Sequence, residues 1–210
     1  MLQLISQKPQ TSINSSNSTS ITTVTETSGV VSSTPQCAPC KMFLTATTYN
    51  ANLSGVAGAD AKCASDANKP VSGIYKALIV DDVNRRACSS TNCTTSGNAE
   101  HINWILYANT NYVQSTNTSN SIFITDTNGI FNGVLTNTIA GAAGIWTGIK
   151  NNPNWDWQTD SSHTCTSWTD SATSSCGTYG VTSWTDSRSI AITSAYGNGS
   201  TLNNLLCVEQ

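Results

Sequence analysis

Charge is scarce in this sequence. Only 10% of its residues are Asp, Glu, Lys or Arg, against roughly 25% in soluble domains at large. The net charge is −3, and adjacent basic residues occur only as Arg85-Arg86, beside Asp81-Asp82. Nucleic-acid binding needs a basic footprint, so that class is excluded. Heparin and acidic membrane surfaces are disfavoured for the same reason. No run of about 18 apolar residues is present, so no membrane-spanning helix is expected. Histidine is limited to His101 and His163, and glutamate to Glu26, Glu100 and Glu209. Hydrolytic catalysis finds little to build on there. His163, Asp170 and a nearby Ser can be drawn as a triad, but any Ser-rich loop permits such a drawing, and geometry defines triads. The expectation is a protein that is not an enzyme.

What fills the chain is Ser, Thr, Asn and Gly, a mixture suited to strands joined by long polar loops. Eight cysteines in 210 residues read as disulfides formed in an oxidising space. The expected location is therefore extracellular or on an outer-membrane surface. Met1, Leu2, Leu4 and Ile5 are too few for the apolar core of a signal peptide. A start further upstream, or removal of a leader, is expected instead.

Residues 1–36 show scattered apolar residues without a period, and such a stretch cannot offset its ordering entropy. They are predicted to form a disordered stalk or linker ahead of a domain over 37–210. Lys41–Tyr49, Ile74–Val80 and Leu205–Val208 are apolar and β-branched and read as strands. Ile102–Tyr107, Ser121–Thr125 and Trp146–Ile149 are further strand candidates. Ala57 to Asn68 reads as a helix with Ala59, Cys63 and Ala67 on one face. Asp60 falls in the first turn of that predicted helix, where it would complement the dipole. After Lys150 some fifty residues of polar loop are expected. They include a hexapeptide found twice, Thr166–Ser171 and Thr182–Ser187, read as two similar strands or turns either side of Cys176.

The segment from Asn52 to Ile79 resembles the opening of the endostatin domain. The matching pieces are Gly55, Gly58-Ala59-Asp60, Cys63, Ala67, Gly73 and Tyr75-Lys76-Ala77-Leu78. Ile145–Ile149 looks like the Trp-x-Gly strand shared by endostatin and C-type-lectin-like folds, and His163–Trp168 like endostatin's third block. Leu206–Gln210 resembles its closing strand. The blocks span residues 41 to 210. The Cys88-x4-Cys93 insert and the Cys-Val-Glu-Gln ending look closer to the leptospiral endostatin-like surface proteins than to animal endostatins.

That resemblance implies an α+β, C-type-lectin-like fold with a mixed, mainly antiparallel sheet, one or two short helices and disulfide-stapled loops. It also implies a Cys63–Cys207 pairing. The sequence departs from the family after Cys165, because no cysteine lies between Cys176 and Cys207. Cys176 then becomes the partner of Cys165, and the geometry of residues 188–204 is left open. Cys88–Cys93 and Cys37–Cys40 would close local loops, with Cys37 and Cys40 also open to interchain pairing. A redox Cys-x-x-Cys needs a helix after the first thiol, and Lys41–Tyr49 is strand-like. Zinc held by Cys37, Cys40, Cys88 and Cys93 is the lesser alternative.

The function implied by resemblance is adhesion to host extracellular-matrix proteins such as laminin or fibronectin, or binding of complement regulators such as factor H. A glycan-binding lectin and a structural surface protein are the alternatives. Endostatin's heparin arginines are mostly missing, leaving Lys76 and Arg85-Arg86. No cofactor or metal is expected. Asp156, Asp160 and Asp170 supply hard oxygens for calcium, but Asn152-Pro153-Asn154 and Trp168-Thr169-Asp170 only loosely echo lectin calcium motifs. The ligand is expected on loops carrying Trp155, Asp156, Trp157, Asp160, Trp184 and Asp186. Exposed aromatics with polar neighbours suit hot spots or sugar stacking, and a satellite core beneath the loop is the competing reading of the same rings. Trp146 and Trp168 are expected to be buried.

Overall fold

A run such as Leu205-Leu206-Cys207-Val208, apolar without alternation, belongs to a strand covered on both faces. The computed structural model, which describes residues 37–151, 155–192 and 196–210, places it so. The predicted stalk over residues 1–36 and the Asn152-Pro153-Asn154 echo lie outside the described residues. Strand β10 (Leu206–Glu209) lies between β1 (Cys40–Leu44) and β2 (Tyr75–Ala77), antiparallel to both. Strands β3 (Asn111–Gln114) and β4 (Asn117–Ile124) complete a five-stranded sheet of order β2-β10-β1-β3-β4, with β1 and β3 parallel. A second sheet joins β5 (Gly144–Trp146), β8 (Gly177–Val181) and β9 (Tyr196–Gly197). Strands β6 (Ile149–Asn151) and β7 (Trp155–Thr159) form a hairpin. The fold is α+β, with mostly antiparallel sheets, few short helices and four disulfides.

Side chains along β1 and β10 divide between two cores, as a period of two requires. Met42, Leu206 and Val208 enter a cluster with Tyr112, Phe123, Phe131, Trp104 and Trp157. Phe43 and Cys207 point the other way, towards helix α1 (Gly55–Ser65), Trp146 and Trp168. Helix α1 buries Val56, Ala59 and Cys63. It begins two residues earlier than the periodicity predicts and stops short of Ala67. Ile102–Tyr107 is not a strand: only Ile102 bridges to Arg86, and the buried Trp104, Ile105 and Leu106 pack in irregular backbone. The predicted strand Trp146–Ile149 is split by Thr147-Gly148. Gly148 has φ +75°, and a Cβ there would lie 2.4 Å from Val80 O. Only glycine turns the chain from β5 to β6 at that point.

The disulfides are Cys63–Cys207, Cys165–Cys176, Cys88–Cys93 and Cys37–Cys40. Every cysteine is paired, so the two short loops are closed by separate disulfides and not by a shared zinc ion.

One basic residue and one acid behave differently from their sequence reading. Asp60 is not in the first turn of α1. It receives Arg85 Nη1–H and Nη2–H at 3.0 and 2.7 Å, and the Ala77 N–H at 2.9 Å. Arg85 is wholly buried and also donates to Ala77 O and Asn103 O. It is a core residue, not part of a surface patch. Because Ala77 ends β2, this ion pair satisfies the outward backbone groups of the sheet's edge.

Glu100 clasps the 88–100 loop. Its buried carboxylate accepts backbone N–H groups from Ser89, Ser90, Thr95 and Ser96 and the hydroxyls of Ser89 and Ser90. Burial by itself would raise its pKa, but the bonds from Ser90, Ser96 and Ser89 outweigh it and bring it from 4.5 down to about 2. A carboxyl whose pKa is depressed on folding stabilises the fold above its unfolded pKa and loses that stabilisation as pH falls through the folded value. The urea midpoint is therefore expected to drop between about pH 4.5 and 2, and Glu100→Gln should flatten that drop. A variant as acid-sensitive as the parent would refute the assignment.

Candidate functional site

Trp155-Asp156-Trp157-Gln158-Thr159 alternates in the manner of a half-buried strand, and it forms β7, not a loop. Trp157 points inward. Its Nε1–H donates to Phe131 O at 2.7 Å, and its ring meets Trp104 and Phe131 edge-on at 5.6 and 5.0 Å. Trp155 packs partly buried against the same core, 5.3 Å from Trp157. Both rings thus belong to the main core, and Trp157 offers no surface to a ligand. Asp156 is also buried. It receives the Gln158 N–H at 2.6 Å and the Thr91 hydroxyl at 3.3 Å, with Lys150 Nζ at 3.8 Å.

The two copies of Thr-Ser-Trp-Thr-Asp-Ser take different roles. In the first, Cys165 to Trp168 form a left-handed turn, with φ between 46° and 64°. That conformation costs non-glycine residues roughly 1–2 kcal/mol each. Here it is pinned by the disulfide to Cys176, by Trp168 Nε1–H donating to Val80 O, and by the Leu53 N–H donating to Trp168 O. Trp168 is buried against Trp146, in keeping with the expectation for both.

In the second copy the backbone turns outward after β8, and Trp184 is 40% exposed. Its ring carries the Arg188 guanidinium, whose Cζ lies 3.4 Å from the ring centroid. Asp186 holds that guanidinium in turn, receiving Nη2–H at 2.6 Å, Nε–H at 3.0 Å and the Arg188 N–H at 2.9 Å. The Arg188 hydrogen bonds keep the Asp186 carboxyl below its usual value. The Leu135 N–H donates to Thr185 O at 2.9 Å, tying the chain next to the exposed Val134 to this segment. A flat aromatic and a clamped cation make a preorganised contact surface. Of the six tryptophans only Trp184 is exposed. Sequence reading misses Arg188, although Asp186-Ser187-Arg188 has the pattern of an acid capping a short helical turn, Ser187–Ser189, whose folding back brings Arg188 over Trp184.

Asp160 lies apart from that surface, at the end of the hairpin. Its carboxylate is 2.8 Å from His163 Nδ1, and the His163 ring stacks on Tyr196 at 3.4 Å and 5°. His163 does not face Asp170, whose carboxylate is engaged by the Ala172 N–H and the Thr173 hydroxyl. The drawn triad is not formed. Among the described residues, no three His, Cys, Asp or Glu side chains converge in a metal-binding group. No helix there is long and apolar enough to cross a membrane.

Residues 46–185 match the profile of a family described as a protein of unknown function, DUF1554. The chain belongs to the DUF1554 family. No curated protein matches it. The DUF1554 span takes in α1, the Arg85–Asp60 pair, the Glu100 loop, the first tryptophan copy, the second as far as Thr185, and the strands β2 to β8. Strands β1, β9 and β10 lie outside the match, as do Asp186 and Arg188. In this DUF1554 chain the exposed tryptophan therefore falls inside the family span, and the cation that stacks on it falls just beyond.

Proposed function

We propose that this chain is a bacterial surface-displayed binding protein and not an enzyme, built on a C-type-lectin-like, endostatin-like domain. Its ligands would be host extracellular-matrix proteins such as laminin and fibronectin, or complement regulators such as factor H. The observation that carries this reading is the Trp184–Arg188–Asp186 cluster, because Trp and Arg dominate the residues that anchor protein interfaces. Four disulfides support display in an oxidising space. The Cys63–Cys207 tie between the first helix and β10 is what a C-type-lectin-like closure would require.

Truncating such an anchor costs about 2 kcal/mol or more, so Trp184→Ala should weaken binding to immobilised laminin, fibronectin or factor H by roughly 30-fold. The unfolding midpoint should stay near that of the parent, since the ring lies on the surface. Surface plasmon resonance and thermal melting on the same preparations test both halves. Undiminished affinity in the variant, or no binding of the parent to any of the three proteins, would defeat the proposal.

A further inference from the structure

Seven of the eight cysteines are at most 5% exposed. Cys37 is the exception: it is partly exposed, and Ala38 and Pro39 beside it are open to solvent. Its partner Cys40 is fully buried at the start of β1. The Cys37–Cys40 disulfide therefore presents one sulfur outward and one inward, and the other three present none. It also closes the shortest loop, with a separation of three residues against 144 for Cys63–Cys207. On loop entropy alone it opens roughly 300-fold more readily than Cys63–Cys207. Cys40 Sγ lies 3.1 Å from Cys37 O, so a thiol formed there has its acceptor in place and is not stranded by burial.

No helix starts at Cys37, so no helix dipole activates it as an attacking thiolate. Its part in an exchange is the opposite one, that of the sulfur attacked. We propose that Cys37 is a reversible covalent attachment site for thiols. An external thiolate bonds to Cys37 Sγ, the Cys37–Cys40 bond breaks, and its electron pair leaves on Cys40 Sγ. Cys40 then takes a proton from water and donates a hydrogen bond to Cys37 O. One thiolate and one disulfide enter and one of each is formed, so no oxidant or reductant is consumed. Deprotonated again, Cys40 attacks Cys37 Sγ, restores the original bond and expels the thiol. Attack on Cys40 itself is blocked by its burial, so the adduct forms on one sulfur only. The site shares no residue with the Trp184 cluster and does not depend on the matrix-binding reading.

Incubation of the full chain with glutathione, in its reduced and oxidised forms together, tests the proposal. Free thiols are trapped with N-ethylmaleimide, and peptide mass spectrometry reads the state of each cysteine. Glutathione should appear on Cys37, with Cys40 carrying the maleimide. The Cys37–Cys40 pair should open at least about tenfold faster than Cys88–Cys93, whose loop is nearly as short but whose sulfurs are shielded. That comparison separates access from loop length. In Cys40→Ala the return step is lost, and Cys37 should take up one glutathione per chain. In Cys37→Ala the remaining Cys40 thiol should react about tenfold or more slowly, because it stays buried. The proposal is overturned by an adduct on Cys40, by none on Cys37, by Cys88–Cys93 opening as fast, or by equal uptake in the two variants.

Discussion

Asp60→Ala is expected to destabilise the domain by about 3–5 kcal/mol, because it leaves the Arg85 guanidinium buried without its counter-charge. Arg85 is fully enclosed and receives no compensation from solvent. Ala77 loses its acceptor at the same time, so the β2 edge and the ion pair fail together. Asp60→Asn keeps one acceptor and should cost less. Arg85→Met should cost less still, since the charge it leaves behind sits on Asp60, which is 22% exposed and still accepts the Ala77 N–H, whereas Asp60→Ala leaves its charge on the fully buried Arg85. Urea midpoints of the three variants should fall in that order. An Asp60→Ala midpoint equal to that of Arg85→Met would show that the pair is not a stabilising unit.

The second large effect belongs to Cys63–Cys207, which closes a separation of 144 residues. In the chain-entropy treatment such a loop contributes roughly 5 kcal/mol, against about 3 kcal/mol for the 11-residue separation of Cys165–Cys176. The double variant Cys63→Ala with Cys207→Ala should therefore lower the melting temperature most. The Cys165/Cys176 pair should rank next, and the pairs Cys88/Cys93 and Cys37/Cys40, separated by five and three residues, should come last at about 2 kcal/mol each. Calorimetry of the four double variants gives the ranking. A Cys88/Cys93 variant as unstable as Cys63/Cys207 would mean that loop length is not what governs.

Strands β1 and β10 and the cysteine pairing are legible in the sequence, and β3 and much of the last third are not. Leu205–Val208 announces a doubly covered strand because four apolar residues stand in a row. The pairing of Cys63 with Cys207 is implied by resemblance, and that of Cys165 with Cys176 by the lack of any other cysteine nearby. Strand β7 was concealed by composition: Asp156 and Gln158 read as loop polarity, yet they are the outward half of an alternation whose inward half is Trp155 and Trp157. Asp156 then turns into a polar niche with Lys150 and Thr91, a tertiary event with no local signature. Arg85 misleads for the same reason, since nothing in Asp-Asp-Val-Asn-Arg-Arg separates the buried guanidinium from its exposed neighbour. The repeated hexapeptide is the plainest case. Identical residues place Trp168 in the core and Trp184 at the surface, because only the first copy is held by a disulfide and by Val80.

The position of β10 between β1 and β2 has a kinetic consequence. Residues 40–44 can pair with β3 once residues 111–114 exist. Residues 75–77 have no strand to bond across until residues 206–209 have been synthesised, so β2 cannot join the sheet before β10 has been made. Topologies dominated by such distant pairings fold on the slow, millisecond-to-second side of the range. A chain emerging from the ribosome would expose Phe43, Tyr75 and Ile79 throughout that wait. Cys63 waits through the same interval, because its partner Cys207 lies on that last strand and their disulfide can close only when β10 arrives.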